Sequence, residues 1–215
     1  MTVYKHILFD LDGTLSDPKQ GIVNSVQYAL SKFDMKEQDD KILTAFIGPP
    51  LIDSFQDFYG FSSDKAKLAI QYFREYFKEK GIFENKLFEG VPQMLYKLCK
   101  KGYILYVATS KLESFAVQII EHFHLQEYFF DVCGCLPDGS RVEKGEIIAY
   151  LMNKYQMNPK ECLMIGDRKH DIIGARLNHI DCAAVSFGYG TIEEIKEYAP
   201  DYIFESILDL EKFFS

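Results

Sequence analysis

No apolar run in this 215-residue chain approaches the roughly 20 residues needed to cross a bilayer, which excludes a helical membrane span. Basic residues are in deficit: lysine and arginine number 24 against 32 aspartates and glutamates, for a formal charge of −8. That balance argues against a nucleic-acid polymer as partner, because such binding leans on Lys and Arg. It leaves small anionic substrates open, since a local basic pocket can sit inside an acidic protein. The count of five cysteines, an odd number, argues against a disulfide framework. Cys133-Gly134-Cys135 is too tight for an ordinary disulfide hairpin and lacks a second ligand pair for zinc. Cys99, Cys162 and Cys182 lie in apolar surroundings and are expected to be small core residues. Internal repeats and low-complexity linkers are absent. The N-terminus reads as a strand and not as a signal segment, so a cytoplasmic location away from membranes is expected.

What is present is an ordinary globular composition, 47% hydrophobic and 26% charged, on a chain long enough for one or two domains. Two textures alternate along it. From about Pro18 to Glu84 the apolar spacing is helical. Ile22, Val26, Ala29, Leu30 and Phe33 share one face, and Ile42, Leu43, Phe46 and Ile47 repeat the pattern. Gly48-Pro49-Pro50 breaks it, Leu51 to Tyr59 starts again, and Ser62-Ser63-Asp64 offers an N-cap for a longer helix to Phe77. Four helices with short connections predict a small antiparallel bundle.

From Leu87 onward, short apolar strands (104–108, 130–133, 162–165, 183–185, 202–204) alternate with helical segments. The first strand, near Tyr4–Phe9, must join that sheet to bury its side chains. The expectation is an α/β protein: a doubly wound parallel-sheet core of residues 1–16 and 86–215, with a helical insertion over 17–85.

In open parallel sheets, ligands bind beyond the carboxyl ends of the strands. Four polar motifs fall there. Asp10-Leu11-Asp12-Gly13-Thr14 places two carboxylates one residue apart, on the same side if the strand continues. Thr109-Ser110-Lys111 ends an apolar strand in hydroxyls able to hold a phosphate oxygen. Lys144 opens a helix, and Gly166-Asp167-Arg168-Lys169-His170-Asp171 carries two more acids after a strand. Two like charges so close need a proton or a cation between them. A carboxylate nucleophile forming an aspartyl-phosphate, with Mg²⁺, a lysine and hydroxyl donors compensating the phosphate charge, would account for the set.

The four motifs resemble those of the haloacid dehalogenase superfamily of phosphohydrolases, over essentially the whole chain. The resemblance implies that Asp10 is the nucleophile and Asp12 the acid/base for leaving group and water. It implies that Thr109 and Lys144, with Ser110 beside them, hold the phosphoryl group. Mg²⁺ would be ligated by Asp167 with the Asp10 carboxylate and the Asp12 backbone carbonyl, while Asp171 supports the metal shell or orients Lys144. The long gap from Asp10 to Thr109 resembles members with a helical cap inserted after the first motif.

Asp12 argues against a dehalogenase, and the Lys-Thr-Gly run of transport ATPases is absent. Lys19, Lys32, Lys36 and Lys41 are better read as solvated than as Schiff-base formers of a phosphonate hydrolase. A sugar-phosphate mutase shares the core residues, and a non-catalytic partner-binding relative is the non-enzyme alternative. Phe46-Ile47-Gly48-Pro49-Pro50-Leu51 resembles the phosphoglycolate phosphatase-like branch, and Gly166 to Ala175 resembles 5′-nucleotidase-like members. The implied partner is a small-molecule phosphate ester. Most aromatics of the helical segment are expected in its core; Arg141, Lys169 and His170 are weak candidates for substrate contact.

Overall fold

β1 (His6–Phe9) is buried at every residue, as a strand covered on both faces by helices requires. The computed structural model describes residues 4–214. β1 pairs in parallel with β2 (Ile104–Leu112) on one side and with β4 (Cys162–Gly166) on the other. With β3 (Phe129–Cys135), β5 (Asp181–Val185) and β6 (Tyr202–Phe204), the sheet order is β3-β2-β1-β4-β5-β6, all parallel. The order reverses between β1 and β4, and the crevice at the carboxyl ends there is where such a sheet binds ligands. Asp10 follows one of these two strands and Asp167 the other.

The chain divides into two compact units: one runs to Asp17 and resumes at Leu87, the other is Pro18–Lys86. In the sheet unit some of the helices over the faces begin where the sequence supplies a cap, and others do not. α5 (Val91–Lys100) follows Gly90 at φ 88° and has a proline in its first turn; α6 (Glu113–His122) follows β2 directly. α7 (Lys144–Tyr155) is held at its start by reciprocal bonds of Glu143 and Glu146. α8 is Lys169–Leu177; Thr191 caps α9 (Ile192–Tyr198) and Ser206 caps α10 (Ile207–Phe213). One core cluster joins Leu8, Tyr106 and Met164 of the sheet to Ile147, Ile148 and Leu151 of α7 and Ile172 of α8. Cys162 and Cys182 are buried as expected, whereas Cys99 is half-buried; all five cysteines are free.

The helical unit contains α1 (Lys19–Ser31), α2 (Asp40–Thr44), α3 (Leu51–Tyr59) and α4 (Ser63–Tyr76), the last running into a π turn over Phe77–Gly81. α1 packs on α4 and α2, and α3 on α4. Ser62 caps α4 by accepting the Lys65 N–H at 3.3 Å. α2 is a single turn, shorter than its apolar spacing predicts, with turn and bend structure before the proline pair. Phe46, Phe55 and Phe73 fill the interior, while Phe58 is 41% exposed.

α1 and the π turn meet at glycines: a Cβ on Gly21 would lie 2.1 Å from the Gly81 carbonyl oxygen. Backbone cannot yield as a side chain can, so Gly21→Ala is expected to cost the protein about 1–3 kcal/mol in urea unfolding, as overpacking does. A change within about 0.3 kcal/mol would show that the helices separate freely there.

Candidate active site

The first motif begins as an extension of the sheet. The Asp10 N–H donates to Ile165 O at 2.8 Å, carrying the β1–β4 ladder one residue past the strand. The chain then turns tightly, with the N–H groups of Leu15 and Ser16 both reaching Leu11 O at 2.9 and 3.0 Å. Gly13 adopts φ 83° in this turn, and a Cβ there would lie 2.2 Å from Asp167 Oδ2. Glycine is needed for the conformation and for the approach of the fourth motif.

Lys144 stands at the centre. Its Nζ is 2.8 Å from Asp10 Oδ1 and 2.8 Å from Asp171 Oδ1, and it donates to Ala108 O at 2.9 Å. Three acceptors match the three protons of an ammonium. Burial disfavours its charge, but the Asp10 and Asp171 carboxylates outweigh that and raise its pKa above the usual lysine range. Asp10 Oδ1 also accepts the Leu11 N–H at 2.7 Å.

The fourth motif supplies two buried acids. Asp171 Oδ2 accepts the Arg168 N–H at 3.1 Å, and Gly166 makes room, since a Cβ there would fall 2.1 Å from Asp171 Cγ. Burial pushes the Asp171 pKa up to about 6, opposed by Lys144 and reinforced by Asp10. Asp167 accepts the Tyr189 N–H at 2.7 Å on Oδ2, while its buried Oδ1 meets no hydrogen-bond donor among the described residues. Burial, then the charges of Asp171 and Asp10, push Asp167 up to about 8. One oxygen each of Asp10, Asp167 and Asp171 lie within 4.8 Å of one another. Crowded, desolvated carboxylates with an unmet oxygen suit a hard divalent cation that takes oxygen ligands.

Asp12 faces a different partner. Its Oδ2 lies 2.5 Å from Lys111 Nζ, and its buried Oδ1 has no hydrogen-bond donor among the described residues. Its backbone bridges to Ser16, so no regular strand runs through both acids of the first motif. Burial raises the Asp12 pKa against the pull of Lys111. Thr109 is buried beside Ala108, its Oγ1 3.3 Å from the Lys111 N–H, and Ser110 is half-buried next to it.

Thus the carboxyl ends of β1, β2 and β4 and the starts of α7 and α8 bring together Asp10, Asp12, Thr109, Lys144, Asp167 and Asp171. Arg141 does not join them: its guanidinium is 2.7 Å from Glu113 and lies over the Tyr150 ring. The Lys169 backbone N–H binds Glu194 at 2.9 Å. Two contributors carried no role in the sequence reading. Lys111 was legible only as the second residue after Thr109. Gly188-Tyr189-Gly190 follows β5 and wraps Asp167 so closely that a Cβ on Gly190 would sit 1.9 Å from the Asp167 carbonyl oxygen; its glycine pair was the available signal.

These shifts set a pH dependence. Asp167 titrates near 8 in the fold against 3.8 unfolded, so the native state favours its protonated form. Its contribution to stability is full below about pH 4 and is lost as pH rises through 8. Urea unfolding in chelator should therefore show stability falling across that window, and Asp167→Asn should flatten the fall. An unchanged slope in the variant would show that Asp167 does not couple to folding.

No helix among the described residues is long and apolar enough to cross a membrane. Residues 7–185 match the profile of the haloacid dehalogenase-like hydrolase family. A 5′-nucleotidase of Pseudomonas aeruginosa is 43% identical over 199 residues, 93% of this chain and 90% of that one. A tyrosine-protein kinase, PtkA, of Mycobacterium tuberculosis is 35% identical over 190 residues, 88% of this chain and 64% of its own length. The crystal structure of a predicted phosphatase from Clostridium acetobutylicum superposes with a TM-score of 0.96 at 43% identity, covering 99% of this chain and 98% of that one. With the profile spanning most of the chain and these relatives aligned along nearly all of it, the protein belongs to the haloacid dehalogenase-like hydrolase family.

Proposed function

We propose that this protein is a Mg²⁺-dependent phosphatase of small phosphate monoesters, working through an aspartyl-phosphate on Asp10. The carrying observation is the bridging of Asp10 and Asp171 by one buried ammonium, Lys144, beside the unmet oxygen of Asp167. The Asp10 and Asp167 carboxylates with the Asp12 backbone carbonyl would hold Mg²⁺, with Asp171 behind them. Bound there, Mg²⁺ supplies positive charge against the phosphoryl oxygens.

Asp10 Oδ1 is held by the Leu11 N–H and Lys144. That contact orients the carboxylate for in-line attack on phosphorus. Lys144 keeps its proton and offers charge to the transferring group, which Thr109 and Ser110 complete as hydroxyl donors. As the Asp10–phosphorus bond forms and the ester oxygen leaves, Asp12 gives that oxygen a proton. Asp12 then takes a proton from the water that hydrolyses the aspartyl-phosphate, releasing phosphate and restoring both acids.

For the substrate, the likeness to a 5′-nucleotidase favours a nucleoside 5′-monophosphate over phosphoglycolate. A screen of phosphate esters with Mg²⁺, ranked by kcat/KM, is expected to place a nucleoside 5′-monophosphate first. Phosphoglycolate in first place would move the protein to that branch. An isomeric phosphate without free phosphate would make it a mutase, and no turnover of any ester would overturn the phosphatase reading.

Asp167→Asn tests the metal assignment. It is expected to leave metal-free stability equal or higher, because a neutral amide carries none of the cost of ionising a carboxyl that burial and its acidic neighbours push up to about 8. Millimolar Mg²⁺ should raise the Tm of the wild type and not that of the variant. An equal Mg²⁺ shift in both would remove Asp167 from the metal shell.

A further inference from the structure

The carboxyl end of β2 is irregular. Ala108 pairs with Cys133 and Leu112 with Cys135, so Thr109, Ser110 and Lys111 together face the single residue Gly134. Bulges of this kind re-aim side chains and recur beside active sites. This one is braced from three directions. A Cβ on Gly134 would lie 2.4 Å from Lys111 O and 2.8 Å from Glu113 Cα, so only glycine lets β3 lie this close. The Gly134 N–H donates to Glu113 Oε2 at 3.2 Å. The same oxygen accepts from Arg141 Nη2 at 2.7 Å. Arg141 holds a left-handed backbone, φ 54°, a strained conformation that a non-glycine residue keeps only where its surroundings impose it. Its guanidinium also reaches Cys133 Sγ at 3.3 Å and covers the Tyr150 ring.

The product of this bracing is one contact: Lys111 Nζ on Asp12 Oδ2 at 2.5 Å, both side chains about nine-tenths buried (8% and 11% exposed). We propose that Lys111 is a positioning residue that fixes Asp12 by Oδ2 and so presents Oδ1 for proton transfer. The Gly134–Glu113–Arg141 brace is what holds Lys111 in place. This accounts for Cys133-Gly134-Cys135 without metal or disulfide chemistry: the glycine is the functional member. It also ties the bulge to the loop that ends at Lys144, three residues beyond Arg141. The proposal rests on the phosphatase reading. The proton on Asp12 Oδ1 passes to the ester oxygen as the phosphorus–oxygen bond breaks and the Asp10–phosphorus bond forms, so atoms and charge balance.

The consequence is a dependence on the leaving group. An alkoxide needs the proton, whereas p-nitrophenolate leaves without it. General-acid assistance is worth about 100- to 10,000-fold. Lys111→Met is accordingly expected to lower kcat/KM for a nucleoside 5′-monophosphate at least about tenfold more than for p-nitrophenyl phosphate. Glu113→Gln, whose side chain bonds Gly134 N and Arg141 and not Asp12, should shift the ratio the same way by a smaller factor; it carries the comparison if Lys111→Met does not fold. Equal losses on both esters would overturn the positioning role and leave the phosphatase reading standing. So would losses confined to esters whose leaving group bears a second anion, because Lys111 would then contact the leaving group. A wild type that hydrolyses neither ester would overturn the phosphatase reading and this role with it.

Discussion

Asp10→Asn is expected to abolish turnover of every phosphate ester while leaving the protein folded. An amide is a poor nucleophile, and removing the attacking group of a covalent mechanism costs about 10⁴-fold or more in kcat. The fold should tolerate the change, because Lys144 keeps Asp171 and Ala108 O as partners. Removing the Asp10 carboxylate even relieves the site, since its charge is one of those that push Asp167 and Asp171 up. Rapid quench of wild type with labelled substrate should trap a phosphorylated chain, and the variant should trap none. Activity within about tenfold of wild type, or label retained by the variant, would move the nucleophile elsewhere.

Lys144→Met should do the opposite, harming stability as well as chemistry. Asp10 and Asp171 are 5% and 1% exposed, and the shared ammonium is the cation between them. Stripping one partner from a buried ion pair costs about 3–5 kcal/mol, because the remaining charge has neither water nor partner. At this chain length about 1 kcal/mol moves Tm by about 2–4 °C, so a drop near 10 °C is expected in chelator. Methionine keeps the volume of the aliphatic stem, so the loss reports charge and not a cavity. Adding Asp171→Asn should restore part of it, with a coupling of about 0.5–3 kcal/mol in the double-mutant cycle. Turnover should fall about 10²- to 10³-fold from loss of the fixed positive charge. A single variant melting within about 2 °C of wild type would show that water already reaches these carboxylates.

Much of this arrangement was legible in the chain. Ile7-Leu8-Phe9 is apolar at consecutive positions, as in a strand covered on both faces, and β1 is such a strand. Proline, glycine and serine punctuation placed the starts of α4 and α7 within a residue. The strand before Thr109 is the instructive exception. Its apolar run stops at Ala108, yet β2 continues to Leu112, because pairing resumes with Cys135 beyond the bulge. Nothing local marks that resumption; it depends on Gly134, some two dozen residues away.

By itself, the sequence determined the order of strands and helices in the sheet unit and the types of acid and base that follow the strands, since periodicity, caps and chemical identity are local properties. Tertiary structure decided the partners. That Lys144 serves Asp10 and Asp171 while Lys111 serves Asp12 follows from strand order and from four glycines: the missing Cβ atoms of Gly134 and Gly190 let backbones touch, and those of Gly13 and Gly166 make room for the Asp167 and Asp171 carboxylates. A hydrogen-bonded charge pair needs its two groups within about 4 Å, and its strength depends on which segments exclude water together. That is a property of packing across a sheet.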